Sequence, residues 1–400
     1  MTVTADDLAR ATNRLRQHPA DYGAWLEVAA LLGALGSVED VELAFATIGE
    51  GARVTGRVAL AVACGRHLAE LGSVRGPELV DQVVETYATG GPHFAFKAPP
   101  APEEPPVLAE PTGDPIAQAR SVIETLGAWL TARHASKAPP APLLSALSKP
   151  GARALVGVMT TRAFGTGATI IEAGAPATAL YWIAHGSVSV RRDGAELGEL
   201  HSGAFFGEIA LVGGTTRTAS VIACDDVWLL EIPARAVENA AGKHPKLAEV
   251  LAFHARARLL ANLTRTSELF RALDDEDRET LLAKFTSAIV PANTTFIHEG
   301  QPNEYLWVVV SGRCAVMTGG GVVAELGPGA AVGEISLVSG VAAVADVVAI
   351  EPAVLLRLAK QDFEATGKRH PQLLAEVKKL VIKRETENRA LFQDASDLIV

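Results

Sequence analysis

The chain has 400 residues, room for two to four domains of about 100 to 200 residues each. Its 36 basic and 46 acidic side chains leave a formal charge of −10, which disfavours the basic footprint of a nucleic-acid binder. Three widely spaced cysteines, Cys64, Cys224 and Cys314, supply neither a disulfide framework nor a metal-ligand spacing. No apolar run approaches the roughly 18 residues of a spanning helix, and Met1 to Leu8 lacks a signal-peptide pattern. The expectation is a soluble protein of the reducing cytoplasm, with no membrane and no nucleic-acid partner.

Residues 1–90 read as helices. Ala24-Trp-Leu-Glu-Val-Ala-Ala-Leu-Leu32 places apolar residues at helical spacing, and Leu35-Gly-Ser-Val38 returns as Leu71-Gly-Ser-Val74, an offset of 71 − 35 = 36 residues. That period suits stacked helical hairpins. With Trp25, Ala29 and Phe45 near the expected positions the stretch resembles tetratricopeptide repeats, although the glycine that family carries after the first leucine is missing. Stacked hairpins form extended concave faces, so residues 1–90 are the expected docking surface for a protein partner, and the linker that follows lets them sit apart from the rest.

Residues 91–142 form that linker. Lys97-Ala-Pro-Pro-Ala-Pro-Glu-Glu-Pro-Pro106 is too rich in proline for helix or sheet interior and reads as extended and semi-rigid. Within it, Pro115 to about Arg133 predicts one helix, with Ile116, Ala119, Val122, Ile123, Leu126 and Leu130 on one side and Pro115 suited to a first turn.

From Leu143 onward the chain repeats itself. Gly174, Gly186, Gly203, Gly207, Glu208, Leu211 and Val221 recur as Gly300, Gly312, Gly329, Gly333, Glu334, Leu337 and Val347, each pair 126 apart (333 − 207 = 126). His244-Pro245 likewise returns as His370-Pro371. Two copies of one domain follow, 143–267 and 268–400. Short glycine-punctuated strands such as Tyr181-Trp-Ile-Ala, Ser187-Val-Ser-Val-Arg and Val227-Trp-Leu-Leu-Glu-Ile predict a jelly roll. Each copy is expected to open on a short helix, Leu269 to Phe285 in the second with Asp274 as its cap, and to close on another. The closing faces would be Leu247, Leu251, Ala255 and Leu259, then Leu373, Val377, Leu380 and Val381. The fold class is therefore mainly β plus α: two tandem β-roll domains with flanking helices, preceded by helical hairpins.

One stretch of the first copy carries chemistry: Phe206-Gly-Glu-Ile-Ala-Leu-Val-Gly-Gly-Thr-Thr-Arg-Thr-Ala-Ser-Val221. Gly207 can take a conformation closed to other residues, the Glu-Ile-Ala-Leu turn can face an anion with free N–H groups, and Arg217 can fork two phosphate oxygens. Glu208, of the wrong sign for phosphate, suits a sugar hydroxyl. Gly207-Glu208-Ile209-Ala210-Leu211, six residues, then Arg217-Thr218-Ala219-Ser220-Val221 resembles the phosphate-binding cassette of the cyclic-nucleotide-binding domain family. That resemblance implies a β-roll with flanking helices, Glu208 on the ribose 2′-hydroxyl, Arg217 and the Ala210 amide on the cyclic phosphate, and Thr218 near the base. The expected ligand-binding residues are Phe206, Gly207, Glu208, Ile209, Ala210, Arg217, Thr218 and Ala219. The ligand would be cyclic AMP, slightly favoured, or cyclic GMP, and no further cofactor or metal is expected.

The second cassette, Val332-Gly-Glu-Ile-Ser-Leu-Val-Ser-Gly-Val-Ala-Ala-Val-Ala-Asp-Val347, has Ala343 at the arginine position (217 + 126 = 343), no lysine or arginine, and an added Asp346. A buried phosphate without a partner costs several kcal/mol, so this copy is expected to hold no cyclic nucleotide. Gly319-Gly-Gly321 falls where Asp193-Gly194 makes a turn in the first copy and reads as a hairpin loop.

The chain lacks a His-Glu-x-x-His, a Gly-x-Ser-x-Gly elbow and a Walker loop, and His244 and His370 beside their prolines suit capping or packing, so catalysis is not expected. A DNA reader of the catabolite-activator type needs a helix-turn-helix, and 400 − 371 = 29 residues follow Pro371. Kinase regulatory subunits carry an arginine-rich inhibitory segment, where this linker has Ala119-Arg-Ser-Val122. A non-catalytic cyclic-nucleotide sensor is the leading expectation, with a ligand-free scaffold as the alternative.

Overall fold

The computed structural model describes residues 3–90, 104–108, 112–132, 141–192, 194–213, 215–266, 284–369 and positions 375 and 379. Five helices fill the first stretch: α1 (Ala5–Gln17), α2 (Tyr22–Ala34), α3 (Val38–Val54), α4 (Val58–Glu70) and α5 (Arg75–Tyr87). A capping box starts α1, where the Thr4 hydroxyl accepts from the Asp7 amide and the Asp7 carboxylate accepts from the Thr4 amide at 2.9 Å. The Leu-Gly-Ser repeat marks a shared helix ending. Gly36 and Gly72 sit at φ +82° and +79°, and the following serine amides reach back to Leu32 O and Leu68 O at 3.1 and 2.9 Å. Gly56 closes α3 in the same way at φ +79°.

Helix α6 (Pro115–Thr131) is the sixth member of this bundle rather than a lone linker helix. It packs on α1 and α3, where a Cβ on Gly51 would stand 2.6 Å from Leu130 Cγ and one on Gly127 would stand 2.8 Å from Thr47 Cγ2. Arg120 pairs with the buried Asp40 on α3, whose carboxyl lies below its usual range because hydrogen bonds from Arg120 and Ser37 outweigh its burial.

Two short helices, α7 (Pro142–Ser145) and α8 (Lys149–Gly157), lead into eight strands: β1 (Thr160–Phe164), β2 (Thr169–Ile171), β3 (Ala179–His185), β4 (Ser187–Arg192), β5 (Ala195–His201), β6 (Phe205–Phe206), β7 (Ser220–Ala223) and β8 (Val227–Pro233). They form two antiparallel sheets ordered β1-β8-β3-β6 and β2-β7-β4-β5. The inner faces share a core of Ile171, Ile183, Val188, Phe206, Val221, Val227 and Leu229. The other face of β3 and β8 carries Leu180, Trp182, Leu230 and Ile232, all at most 2 % exposed. Burial on both faces accounts for the apolar stretches Ala179–Ala184 and Val227–Leu230 in these strands, since an open sheet would alternate.

Helix α4 supplies much of that cover, packing on β1, β3 and β8. Phe45, His67 and Trp228 form a ring cluster there, and Arg66 Nε donates to Met159 O at 2.9 Å. The expectation that residues 1–90 sit apart from the β domain is thus corrected. The exposed sheet face needed burial, and the nearest apolar helices provide it.

Helices α9 (Glu208–Gly213), α10 (Ala234–Lys243) and α11 (Pro245–Thr266) complete the first copy. Leu247, Leu251 and Ala255 of α11 are buried as expected. His244 closes α10 and lies against Gly151 of α8, in a packing role. The second copy repeats the strands as β9 (Thr286–Val290), β10 (Thr294–Ile297), β11 (Tyr305–Ser311), β12 (Cys314–Thr318), β13 (Gly321–Leu326), β14 (Ala331–Val332), β15 (Asp346–Ala349) and β16 (Ala353–Ala359). Their sheets, β9-β16-β11-β14 and β10-β15-β12-β13, reproduce the first copy strand for strand. Gly319 and Gly320, both at positive φ, make the β12–β13 turn. These are tandem jelly-roll-like domains.

The opening helix expected over 269–283 with Asp274, the closing face Leu373, Val377, Leu380 and Val381, His370-Pro371, the side chain of Leu259 and the prolines at 99–102 lie outside the described residues. Among the described residues no helix is long and apolar enough to cross a membrane. The chain divides into two compact units, Met1–Glu172 with Thr178–Gly207 and Ser220–Leu251, and Ala173–Ala177 with Glu208–Ala219 and Ala252–Val400. The repeat boundary and the unit boundary therefore differ: the arm 208–219 of the first copy belongs to the second unit.

Candidate functional site

Gly207 enters the arm at φ +90° and its counterpart Gly333 at +89°. In this left-handed region a side chain is strained, which is why both copies keep glycine. The short helix α9 follows, and a loop returns the chain to Arg217. Two backbone bonds bracket that residue: Gly174 N donates to Arg217 O and Arg217 N to Ala175 O, both at 2.8 Å. The second copy has the same bracket, Gly300 N to Ala343 O and Ala343 N to Gln301 O, again at 2.8 Å. The cradle backbone is thus conserved between the copies, and what differs is the side chain it presents.

In the first copy that side chain is the guanidinium of Arg217, on a residue only 5 % exposed. Glu208 is 1 % exposed and meets a residue the sequence reading missed. Arg258 Nη1, from α11, donates to Oε1 at 2.9 Å and Oε2 at 2.8 Å of Glu208. Burial raises the Glu208 carboxyl above its ordinary range, while attraction to Arg258, and more weakly to Arg217, holds it down; the net direction is up. Desolvation of a carboxylate exceeding its ion-pair attraction is the usual balance for a buried pair. One turn before Arg258, His254 is pushed down by burial and by the arginine's charge.

The remaining expected residues divide by environment. Ala210 and Ala219 are buried and Thr218 is half-buried. Phe206 lies in the core of the first barrel and stacks on Tyr181 at 5.3 Å, so its side chain serves packing. Ile209 packs against the second copy's cluster of Leu306, Val308, Val310, Leu356 and Phe363. Thr215, also unforeseen, bonds from its amide to Ala210 O at 3.0 Å and accepts from Ser311 Oγ at 3.0 Å. Arg258 and Ser311 are 50 and 96 residues from their partners, and no local pattern marks either.

In the second copy Glu334 and Ser336 are buried at the positions of Glu208 and Ala210, and Ala343 is 7 % exposed. Asp346 Oδ1 accepts from Glu299 N at 2.7 Å, a backbone role for the added acid. Among the described residues no group of three or more His, Cys, Asp or Glu could hold a metal ion.

Residues 161–244 and 289–370 each match the family described as the cyclic nucleotide-binding domain, so two segments of the chain are similar to it. A cGMP-dependent protein kinase, egl-4, of Caenorhabditis briggsae is 31 % identical over 137 residues, 33 % of this chain and 18 % of the kinase. Glutaminase 2 of Bradyrhizobium diazoefficiens is 38 % identical over 107 residues, 26 % of this chain and 17 % of that enzyme. The chain thus spans less than a fifth of either curated relative. Among solved structures, the Thermus thermophilus catabolite activator protein is 29 % identical, with a TM-score of 0.30 over 32 % of this chain and 63 % of that one.

Proposed function

We propose that this chain, with its two segments similar to the cyclic nucleotide-binding domain, is a non-catalytic regulatory protein whose first copy binds one cyclic mononucleotide and whose second binds none. The observation that carries the reading is the pair of identical backbone brackets, one presenting Arg217 and the other Ala343. A cyclic phosphate has one negative charge. Arg217, Arg258 and ionised Glu208 sum to one positive charge, a match that Arg217 and Glu208 alone would lack. Glu208 retains lone pairs beyond those used by Arg258, which suits a ribose hydroxyl.

Cyclic AMP is slightly favoured over cyclic GMP, with Thr218 the residue beside the base. A protein partner reads the occupied state, and the exposed Val38, Leu71 and Val74 at the hairpin ends are apolar surface that residues 1–90 still offer once α4 has covered the sheet. Calorimetry of the full chain with cyclic AMP, cyclic GMP and cyclic dinucleotides tests the reading; saturable binding of a mononucleotide is expected, and no heat with any of them overturns it. The second reading, a ligand-free scaffold, is favoured by one observation, the occupation of Glu208 by Arg258, and the same titration separates the two.

A further inference from the structure

The jelly-roll copies share a feature at the end of their third strand. Pairing of β3 with β8 shifts register between Ile183 and His185, and pairing of β11 with β16 shifts between Val309 and Ser311. Such a bulge re-aims the side chain that follows it. The two positions correspond (185 + 126 = 311), and each meets a segment from outside its own barrel. His185 lies against α2, where a Cβ on Gly23 would stand 3.2 Å from Nε2. Ser311, 1 % exposed, donates to Thr215, 8 % exposed.

The covering element differs in kind. The first copy's sheet is roofed by helices, whereas the second copy's sheet receives the first copy's own cassette arm, with Ile209 on its apolar face and Thr215 on its bulge. Thr215 stands two residues from Arg217, and its hydroxyl and amide also bond Thr216 O and Ala210 O. The hydroxyl pair is thus buried two residues from the position that carries the guanidinium.

We propose that Ser311 is a positioning residue for the cyclic-nucleotide site of the first copy, acting through Thr215, so that the second copy's strand holds the cassette arm 208–219. This rests on the reading of the first copy as a nucleotide site. The test uses the full chain with Ser311→Ala, Thr215→Val, both together, and Ser311→Thr, which keeps the hydroxyl. Removing one buried hydrogen bond predicts about three- to tenfold weaker cyclic AMP binding for either single variant. The double variant should be no weaker than the singles, and Ser311→Thr should restore affinity. Independent losses that multiply in the double variant overturn the proposal.

Hydrogen exchange without nucleotide supplies a second readout. Amides of residues 208–219 should exchange faster in Ser311→Ala while those of β12 and β15 stay unchanged; unchanged exchange in the arm overturns the proposal. If the wild-type chain binds no cyclic nucleotide, the functional reading fails, and the exchange experiment alone decides whether Ser311 holds the arm.

Discussion

Arg217 and Arg258 are chemically alike and take different tasks because of what faces them. Arg217, inside the backbone bracket, is the proposed phosphate ligand, and charge-assisted hydrogen bonds of this kind contribute roughly 1.5 to 3 kcal/mol. Arg217→Ala should therefore weaken cyclic AMP binding about ten- to a hundredfold, at about 1.4 kcal/mol per decade; unchanged affinity in the folded variant would dismiss the cassette. Arg258 compensates a buried carboxylate. Stripping a fully buried pair of one partner costs about 3 to 5 kcal/mol, and since Arg258 is 24 % exposed and Arg217 also acts on Glu208, Arg258→Ala should cost less, about 1 to 3 kcal/mol in urea unfolding. That loss should depend on pH. Glu208 already has a raised carboxyl in the folded state, so the folded chain binds its proton more readily than the unfolded one, and stability falls as pH rises through the folded value. Arg258→Ala raises it further. The destabilisation should be full at neutral pH and shrink as pH falls toward the ordinary carboxylate range, because a protonated Glu208 needs no counter-ion. A pH-independent loss would assign Arg258 to packing instead.

Among elements, the turns are where sequence spoke most directly. The glycines repeated at 126 residues occupy positive φ in both copies, from Gly174 and Gly300 at +83° and +75° to Gly207 and Gly333 at +90° and +89°. Their sequence positions alone located the turns, since few other residues tolerate that backbone. They are not equivalent in crowding. A Cβ on Gly300 meets nothing within 4 Å, whereas one on Gly333 would stand 2.5 Å from Asn303 Nδ2 and 2.7 Å from Tyr305 O. Gly300→Ala should cost about 1 to 2 kcal/mol from backbone strain alone, and Gly333→Ala at least twice that, with the Asn303 bonds to Tyr305 O and Gly333 O lost. Equal midpoints in chemical denaturation would contradict this. The helix α11 was legible as a buried face, but its polar contribution was not, because an arginine in the run His254-Ala-Arg-Ala-Arg258 reads as solvated until a carboxylate is brought beside it.

At the scale of the whole molecule, two sheets of the same strand order received different covers, and the proposed stoichiometry rests on the difference between their cradles. A titration of the full chain should saturate at one cyclic nucleotide per chain; two sites would show that Ala343 does not silence the second copy. The helical region belongs to the stability of the first β domain. A chain starting at residue 141 would uncover Leu180, Trp182, Leu230 and Ile232 where α4 now packs. At roughly 25 cal/mol per Å² of apolar surface, such a truncation should unfold at lower urea or self-associate in sedimentation. An unchanged midpoint in a monomer would mean that residues 1–132 add nothing to the barrel.

The sequence by itself determined the duplication, the glycine turns, the jelly-roll class that the duplication repeats, and the arginine present in one cradle and absent from the other. All of these are carried by residue types at short or fixed spacing. Tertiary structure alone decided that α4 roofs the first sheet, that α6 joins the helical bundle, that Arg258 pairs with Glu208 and that Ser311 meets Thr215. The physical reason is common to the four. An apolar face or a buried polar atom must be satisfied, but its own sequence does not say by what; the partner is whichever distant segment the folded chain brings within reach.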